Sequence, residues 1–371
     1  MSNQIPIIDG KKFVPKKLLK KPLLIVIFVL INVAVIAITA FSEFGNSANA
    51  AKLEDVKING WFLIPAVICF LVAITAEISK YVLMMYEMSK DKEHFDKAIA
   101  RKVARRTVLL GKYYDNITPA AIGGQPVQIY YMRKHSGMKA GVSTSIPVFG
   151  MVAGQLGFII IALICFLLGS ASIDNAVLIG TAFFGLFFYA FWPITVMIAT
   201  FLPESTAELI NKIVKLLAKL HIVKNQKATV AKVELEVSEY AQCVRRILKT
   251  KGLFLKTVLL SLVFNTLIAM IPFFVLTAFG GDVDFLPCFV TTVAVTSAVY
   301  FIPTPGNSGA AEGAFFLVFS ALSTGYVFWA MLVWRFFSYY IYILLGPIIY
   351  YIMHLEKKQA KNGKKEKREK E

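Results

Sequence analysis

Long uncharged stretches alternate with short basic blocks along this chain. Uncharged runs extend over residues 23–41, 141–173, 175–203, 257–281, 285–311 and 313–334. Each approaches or exceeds the roughly 20 apolar residues that an α-helix needs to cross a bilayer core of about 30 Å. A further apolar stretch at 61–86 carries only Glu77 and Lys80 near its end. The pattern predicts membrane helices at about 23–42, 61–86, 143–169, 175–201, 257–279 and 327–353. Plain hydropathy counts eight helices, but two segments do not read as ordinary spans. In 103–135 the stretch "ITPAAIGGQPVQIYY" interrupts the pattern with prolines, glycines and glutamines, and in 285–325 "FIPTPGNSGAAEG" does the same.

Charge placement assigns the sides. The loop at 43–60 has only Lys52 and Lys57, and "GSASID" and "GGDVD" have no basic residue. By contrast, 203–256 carries eleven Lys and Arg and the C-terminal tail eight. Of 40 basic residues, two fall in the proposed outer loops and Arg335 lies within a span, leaving 37 on the cytoplasmic side or at a cytoplasmic helix end. Positive charge stays inside, so both termini are expected in the cytoplasm of a bacterial-type plasma membrane. The 19-residue apolar run near the N-terminus exceeds the roughly 7–15 residues of a signal-peptide core and reads as a retained span.

With the termini placed, 103–135 enters from the cytoplasm and 285–325 from outside, each returning without crossing. Three crossings and one re-entrant segment then make a first repeat at 1–173 and an inverted second repeat at 174–355, followed by a disordered basic tail at 356–371. The predicted fold class is an all-α polytopic membrane protein with about six transmembrane helices and two re-entrant broken helices. Inverted repeats with interrupted helices at matching places mark a transport site at the repeat interface.

Irregular backbone at membrane depth is tolerated only where protein buries it or where it lines a cavity. Pro119 fixes its own φ and disfavours a helical Thr118. Gly123 and Gly124 permit close approach to bare backbone, while Gln125 and Gln128 offer hydrogen bonds without charge. A half-helix starting near Gln125, with Pro126 in its first turn, would turn free N–H groups toward an anion such as a lipid phosphate. The second break offers Pro303, Pro305, Gly306, Asn307, Ser308 and Gly309, with Asn307 or Ser308 as the expected cap and Glu312 in the first turn. Asn116 completes the candidate set on the first side. Charges inside a membrane are costly and pair, so Glu312 and Arg335 are expected to pair with each other.

Other polar positions read more plainly. Glu77 and Lys80 suit an interfacial i,i+3 pair; Gln155 and Asn265 suit interhelical hydrogen bonds. Segment 204–250 reads as two amphipathic cytoplasmic helices lying on anionic lipid. One stripe is Leu209, Ile213, Leu216, Leu217 and Leu220; the other is Val230, Val233, Val237, Tyr240, Val244 and Leu248.

Composition narrows the class further. The chain is 57% hydrophobic with a formal charge of +17, and the charge sits in loops beside the membrane rather than in a nucleic-acid-binding motif. Cys69, Cys165, Cys243 and Cys288 form no CxxC pair, and the four histidines share no ligand spacing, so neither disulfides nor a metal nor a cofactor is expected. No nucleophile or nucleotide motif stands out.

The pair "YYDNITPAAIGGQPVQIYYMRKHSG" and "YFIPTPGNSGAAEGAFF" resembles the lysylphosphatidylglycerol synthase transmembrane-region family, over nearly the whole chain. Members commonly show Pro-x-x-x-Gly followed closely by Glu or Gln-Pro, and Gln125 stands about where some carry the acid. The second pattern, Pro-x-Pro-Gly-x-x-Gly-x-x-Glu, matches Pro303, Pro305, Gly306, Gly309 and Glu312. The resemblance implies a flippase moving an anionic or aminoacylated phospholipid between leaflets, helping resist cationic antimicrobial peptides. It also implies a second reading, transfer of lysine from lysyl-tRNA to phosphatidylglycerol, or service as the membrane subunit of such an enzyme. Bifunctional relatives carry a soluble transferase domain after the membrane part; this sequence ends at 371 in a lysine tail, so transfer by this chain alone is not expected. The partners expected are a membrane phospholipid, the anionic membrane surface, and a second copy of the chain or a separate synthase; nucleic acid is not among them.

Overall fold

Apolar runs of this length satisfy every backbone N–H and C=O internally only as helices, and helices are what form. A computed structural model describes residues 57–89, 97–169, 176–219, 226–323 and 326–370, with positions 37, 38 and 41. The expected first span at 23–42 lies outside the described residues. After a 3₁₀ turn at Gly60–Phe62 come α1 (Leu63–Met88), α2 (Lys97–Ile117), α3 (Gly124–His135), α4 (Ala140–Gly169) and α5 (Ala176–Phe201). The second half holds α6 (Pro203–Lys219), α7 (Gln226–Lys249), α8 (Lys251–Ala278), α9 (Phe285–Val299), α10 (Ala310–Leu322) and α11 (Val327–Arg335). From α11 the chain passes through a π-helical stretch, Phe336–Tyr340, into α12 (Ile341–Lys370).

Five of these elements are long and apolar enough to cross a membrane: Gly60–Met88, Ala140–Leu167, Ala176–Phe201, Lys251–Ala278 and Val327–Glu356. The protein is an all-helical, multi-pass membrane protein. By contrast, α9 and α10, with 15 and 13 residues, extend about 22 and 20 Å at 1.5 Å per residue, short of a crossing. The start of α9 and the end of α10 come together, with Asp284, Pro287, Phe319 and Leu322 around one pocket of about 260 Å³. In the first half, α2 and α3 likewise fold back on each other.

The most extensive helix pairing joins α1 to α8, two spans at matching positions in the expected repeat. A core of α1, α8, α10 and α11 side chains, including Phe70, Val275, Phe315, Phe319 and Met331, fills the space beside it. Small residues let helices close up elsewhere: a Cβ at Gly157 of α4 would press on the Ser261–Leu262 backbone of α8, the close approach that membrane helices use in place of a hydrophobic drive.

Several expectations change here. The C-terminal segment continues as helix to Lys370 where a disordered tail was expected; Lys, Glu, Gln and Ala are all good helix formers, and Glu356 ties the helix to Lys102 and Arg106 of α2 at 2.9 and 2.7 Å. The two amphipathic helices form as α6 and α7, but they differ. Leu209 and Ile213 of α6 are exposed, whereas Ala241, Val244 and Ile247 of α7 are buried against the protein. There α7 clasps two spans by their ends: Arg245 donates to Thr200 O and Phe201 O at the C-terminus of α5, and Glu239 accepts from Gly141 N at the start of α4. Each charge faces the helix end whose dipole it complements.

Candidate functional site

Both broken segments open with the same local conformation. Thr118 and Thr304 are extended, at φ/ψ of −115/142° and −94/154°, as a residue preceding proline prefers. Pro119 and Pro305 then open a single 3₁₀ turn. Each turn ends on a left-handed residue, Ala121 (φ 52°) or Asn307 (φ 54°). Four residues beyond each proline stands a glycine, Gly123 or Gly309, at the N-cap of the following helix. The shared spacing, Thr-Pro-x-x-x-Gly, is a signal that sequence reading missed.

The two turns also touch. The Pro119–Ala121 turn packs against Pro305–Asn307, and a Cβ on Gly306 would lie 3.2 Å from Asn116 Oδ1 and run into the Tyr339 ring. Folding thus brings together residues 116–125 and 303–309, nearly 200 positions apart, at the inner ends of two hairpins.

Polar closure of the two turns differs. In the first, Thr118 Oγ1 donates to Tyr114 O at 2.7 Å and accepts from Gly123 N at 2.9 Å. Asp115 Oδ1 accepts from Gly124 N at 3.0 Å. The amides expected to face an anion are therefore engaged by the chain's own side chains. Gln128, buried against Gly111, accepts from Tyr81 Oη at 3.3 Å, and Gln125 Oε1 is buried with no hydrogen-bond partner among the described residues.

In the second turn, Glu312 and Arg335 pair as expected, Nε to Oε1 at 2.7 Å, with 2% and 4% of their side chains exposed. Glu312 Oε2 accepts from Gly309 N at 2.7 Å. Arg335 donates from Nη2 to Gly306 O and Ser308 Oγ, both at 3.2 Å, and lies 4.6 Å from the Tyr339 ring centroid. Gly309 (φ 87°) is the cap, not Asn307 or Ser308: the left-handed turn needs glycine, and the carboxylate supplies the acceptor that a capping side chain would have provided. Thr304 Oγ1 is left buried without a partner among the described residues. Pro303 leads into this turn as an exposed residue.

A polar tract lines the interior beside the turns. The expected i,i+3 pair of Glu77 and Lys80 forms, with Lys80 fully buried within the protein. Its Nζ lies 2.8 Å from Glu77 Oε2, 3.0 Å from Gly150 O and 3.1 Å from Ser261 Oγ, because helices α1, α4 and α8 converge on it. Gln155 donates to Tyr300 Oη at 3.2 Å and Asn265 to Gly154 O at 3.0 Å, the interhelical bonds expected of them. Asp115 and Lys112 were not singled out from sequence; a carboxylate three residues before the Thr-Pro break is the cue that could have found Asp115. Beside Gln155 and Tyr189, an apolar groove of about 400 Å³ opens between α4 and α5, lined by Leu156, Ala190, Pro193 and Met197 among others.

No curated protein and no solved structure matches the chain. The family described as the lysylphosphatidylglycerol synthase TM region matches residues 23–346, a stretch that includes both broken segments and every residue of the polar tract. The chain belongs to the lysylphosphatidylglycerol synthase transmembrane-region family.

Proposed function

We propose that this protein moves an anionic or aminoacylated phospholipid between the leaflets of a bacterial-type plasma membrane, with the headgroup handled where the two broken turns meet. The observation that carries the reading is that meeting. Two hairpins with the same Thr-Pro turn join at their inner ends, beside a polar tract in an otherwise apolar bundle. An inverted repeat accounts for it: matching elements of two halves of opposite orientation meet near the middle of the membrane, where transporters of this construction bind their cargo.

In this reading α2 and α3 enter from the cytoplasm, α9 and α10 from outside, and both termini are cytoplasmic. The buried, unpartnered Gln125 Oε1 and Thr304 Oγ1 suit the hydroxyl or amine donors of a polar headgroup. The α4–α5 groove suits a hydrocarbon tail left in the lipid phase. Exposed Leu209 and Ile213 on α6 rest on the inner membrane surface, with the surrounding lysines over anionic lipid. Protection against cationic peptides follows if the lipid moved outward is aminoacylated.

The test is leaflet translocation in proteoliposomes containing fluorescent phosphatidylglycerol. Gln125→Leu and Glu312→Ala are expected to slow movement while purified Gln125→Leu keeps its melting temperature. Equal rates for wild type and both variants would remove the joined turns from the transport path.

A further inference from the structure

We propose that Lys112 is the phosphate-binding residue of this headgroup site, its ammonium receiving the phosphodiester of the phospholipid. The inference rests on the transport reading above and assigns to it a residue outside the two turns.

Four buried or half-buried cations among the described residues lie on the helices that carry the turns and the tract: Lys80, Arg106, Lys112 and Arg335. Arg106 is committed to Glu356 through both guanidinium nitrogens. Arg335 is committed to Glu312, Gly306 O, Ser308 and the Tyr339 ring. Lys80 is committed to Glu77, Gly150 O and Ser261, and none of it is exposed. The amides at Gly123 and Gly124 are taken by Thr118 and Asp115.

Lys112 differs from all of these. It is half-buried, and among the described residues its ammonium has neither a hydrogen bond nor a carboxylate within 4 Å. Its one close contact is the Phe264 ring of α8, 5.0 Å from the ammonium to the ring centroid. The side chain therefore reaches from α2 across to α8. Phe264 stands next to Asn265, which donates to Gly154 O, so Lys112 belongs to the interior tract and not to the outer surface.

A lysine in a membrane interior is costly unless a partner or water meets it, and three ammonium donors over an aromatic face remain open to a ligand. Six residues of helix separate Lys112 from Thr118, about 9 Å of rise. A phosphodiester held by Lys112 would thus leave its distal polar groups within reach of the joined turns. Asp115, one turn along the same face of α2, restricts the anion to the Lys112 side and offers a carboxylate to an aminoacyl ammonium.

The experiment measures lipid retained by the purified full chain, using phosphatidylglycerol against diacylglycerol, which lacks the phosphate. Wild type is expected to favour phosphatidylglycerol. Lys112→Gln should lose that preference by about tenfold, as expected for removing a charge-assisted hydrogen bond, whereas Lys112→Arg, which keeps the charge, should stay within about threefold. On wild-type protein, amine labelling read by peptide mass spectrometry should slow at Lys112 when phosphatidylglycerol is added, a measurement that needs no variant to fold. Undiminished preference in Lys112→Gln, or labelling at Lys112 unaffected by phosphatidylglycerol, overturns the proposal. Equal protection by inorganic phosphate alone would make this a free-phosphate site and overturn the lipid assignment. Retention requires no movement, so a chain that holds lipid through Lys112 but translocates none sinks the transport reading alone. A chain whose Lys112→Gln form translocates like wild type sinks this proposal alone.

Discussion

The first and second broken segments share a backbone entry and differ in how they exit and in what closes them: the capping Gly123 is helical at φ −79°, whereas Gly309 is at φ 87°. Both run extended threonine, proline, 3₁₀ turn, left-handed residue, glycine cap. In the first, the threonine hydroxyl holds the capping glycine's amide and a carboxylate from the preceding helix holds the next amide. In the second, a carboxylate from the following helix holds the capping amide, an arginine neutralises that carboxylate, and the threonine hydroxyl is left over. The extended entry to each turn is therefore set by its Thr-Pro pair, while the exit differs along with the groups that close it: helical at Gly123, left-handed at Gly309. The consequence is electrical. The second turn is a sealed, neutral unit, whereas beside the first Asp115 and Lys112 are only half-buried and do not pair with each other within 4 Å. In the proposed transport reading, an anionic cargo would be met on the first side.

Breaking the second turn should cost most. Arg335→Met strands Glu312 at a site where the arginine is 4% exposed, and breaking a buried pair from one side costs about 3–5 kcal/mol. Thermal melting in detergent should show it, and adding Glu312→Gln to Arg335→Met should recover part of the loss; additive losses would mean the two residues are not coupled. Next comes Gly306→Ala, at φ 57° with the Tyr339 ring in the path of a methyl group. Left-handed strain of about 1–2 kcal/mol adds to overpacking, so a clear drop in melting temperature is expected; an unchanged melt would show that the turn rearranges freely.

The two threonines give the sharpest contrast. Thr118→Val strands the Gly123 amide and should cost about 1–3 kcal/mol. Thr304→Val removes only a buried, unpartnered hydroxyl, and its melting temperature should stay within the change expected of about 0.5 kcal/mol. Equal losses at both positions would erase the distinction between the segments. Glu356→Gln should have little effect, because its pairs with Lys102 and Arg106 are partly exposed and such pairs are worth about 0–1 kcal/mol.

Much of this was legible beforehand for identifiable reasons. Spans 143–169 and 175–201 match α4 and α5 to within a few residues, since a run of apolar residues in a membrane has no structure available but a helix. The Glu312–Arg335 pair was legible because two charges within one apolar region have few partners to choose from. The Glu77–Lys80 pair forms as expected, but the full burial of Lys80 was not legible because its neighbours Gly150 and Ser261 lie 70 and 181 positions away, and nothing near it in the chain announces them. Likewise α7 reads as a surface helix by its stripe, yet Val244 and Ile247 are buried: an apolar face is the same whether lipid or protein covers it.

The amino-acid sequence by itself determined the helices, the two breaks and the pairing of the second-half charges. These follow from hydrocarbon's intolerance of free backbone polar groups and lone charges, and from the restricted dihedrals of proline and glycine. Only the tertiary structure decided that the breaks touch, that the first turn's amides are already occupied and that Lys112 is left with an open ammonium. Those facts depend on contacts between helices far apart in the chain, which local periodicity does not encode.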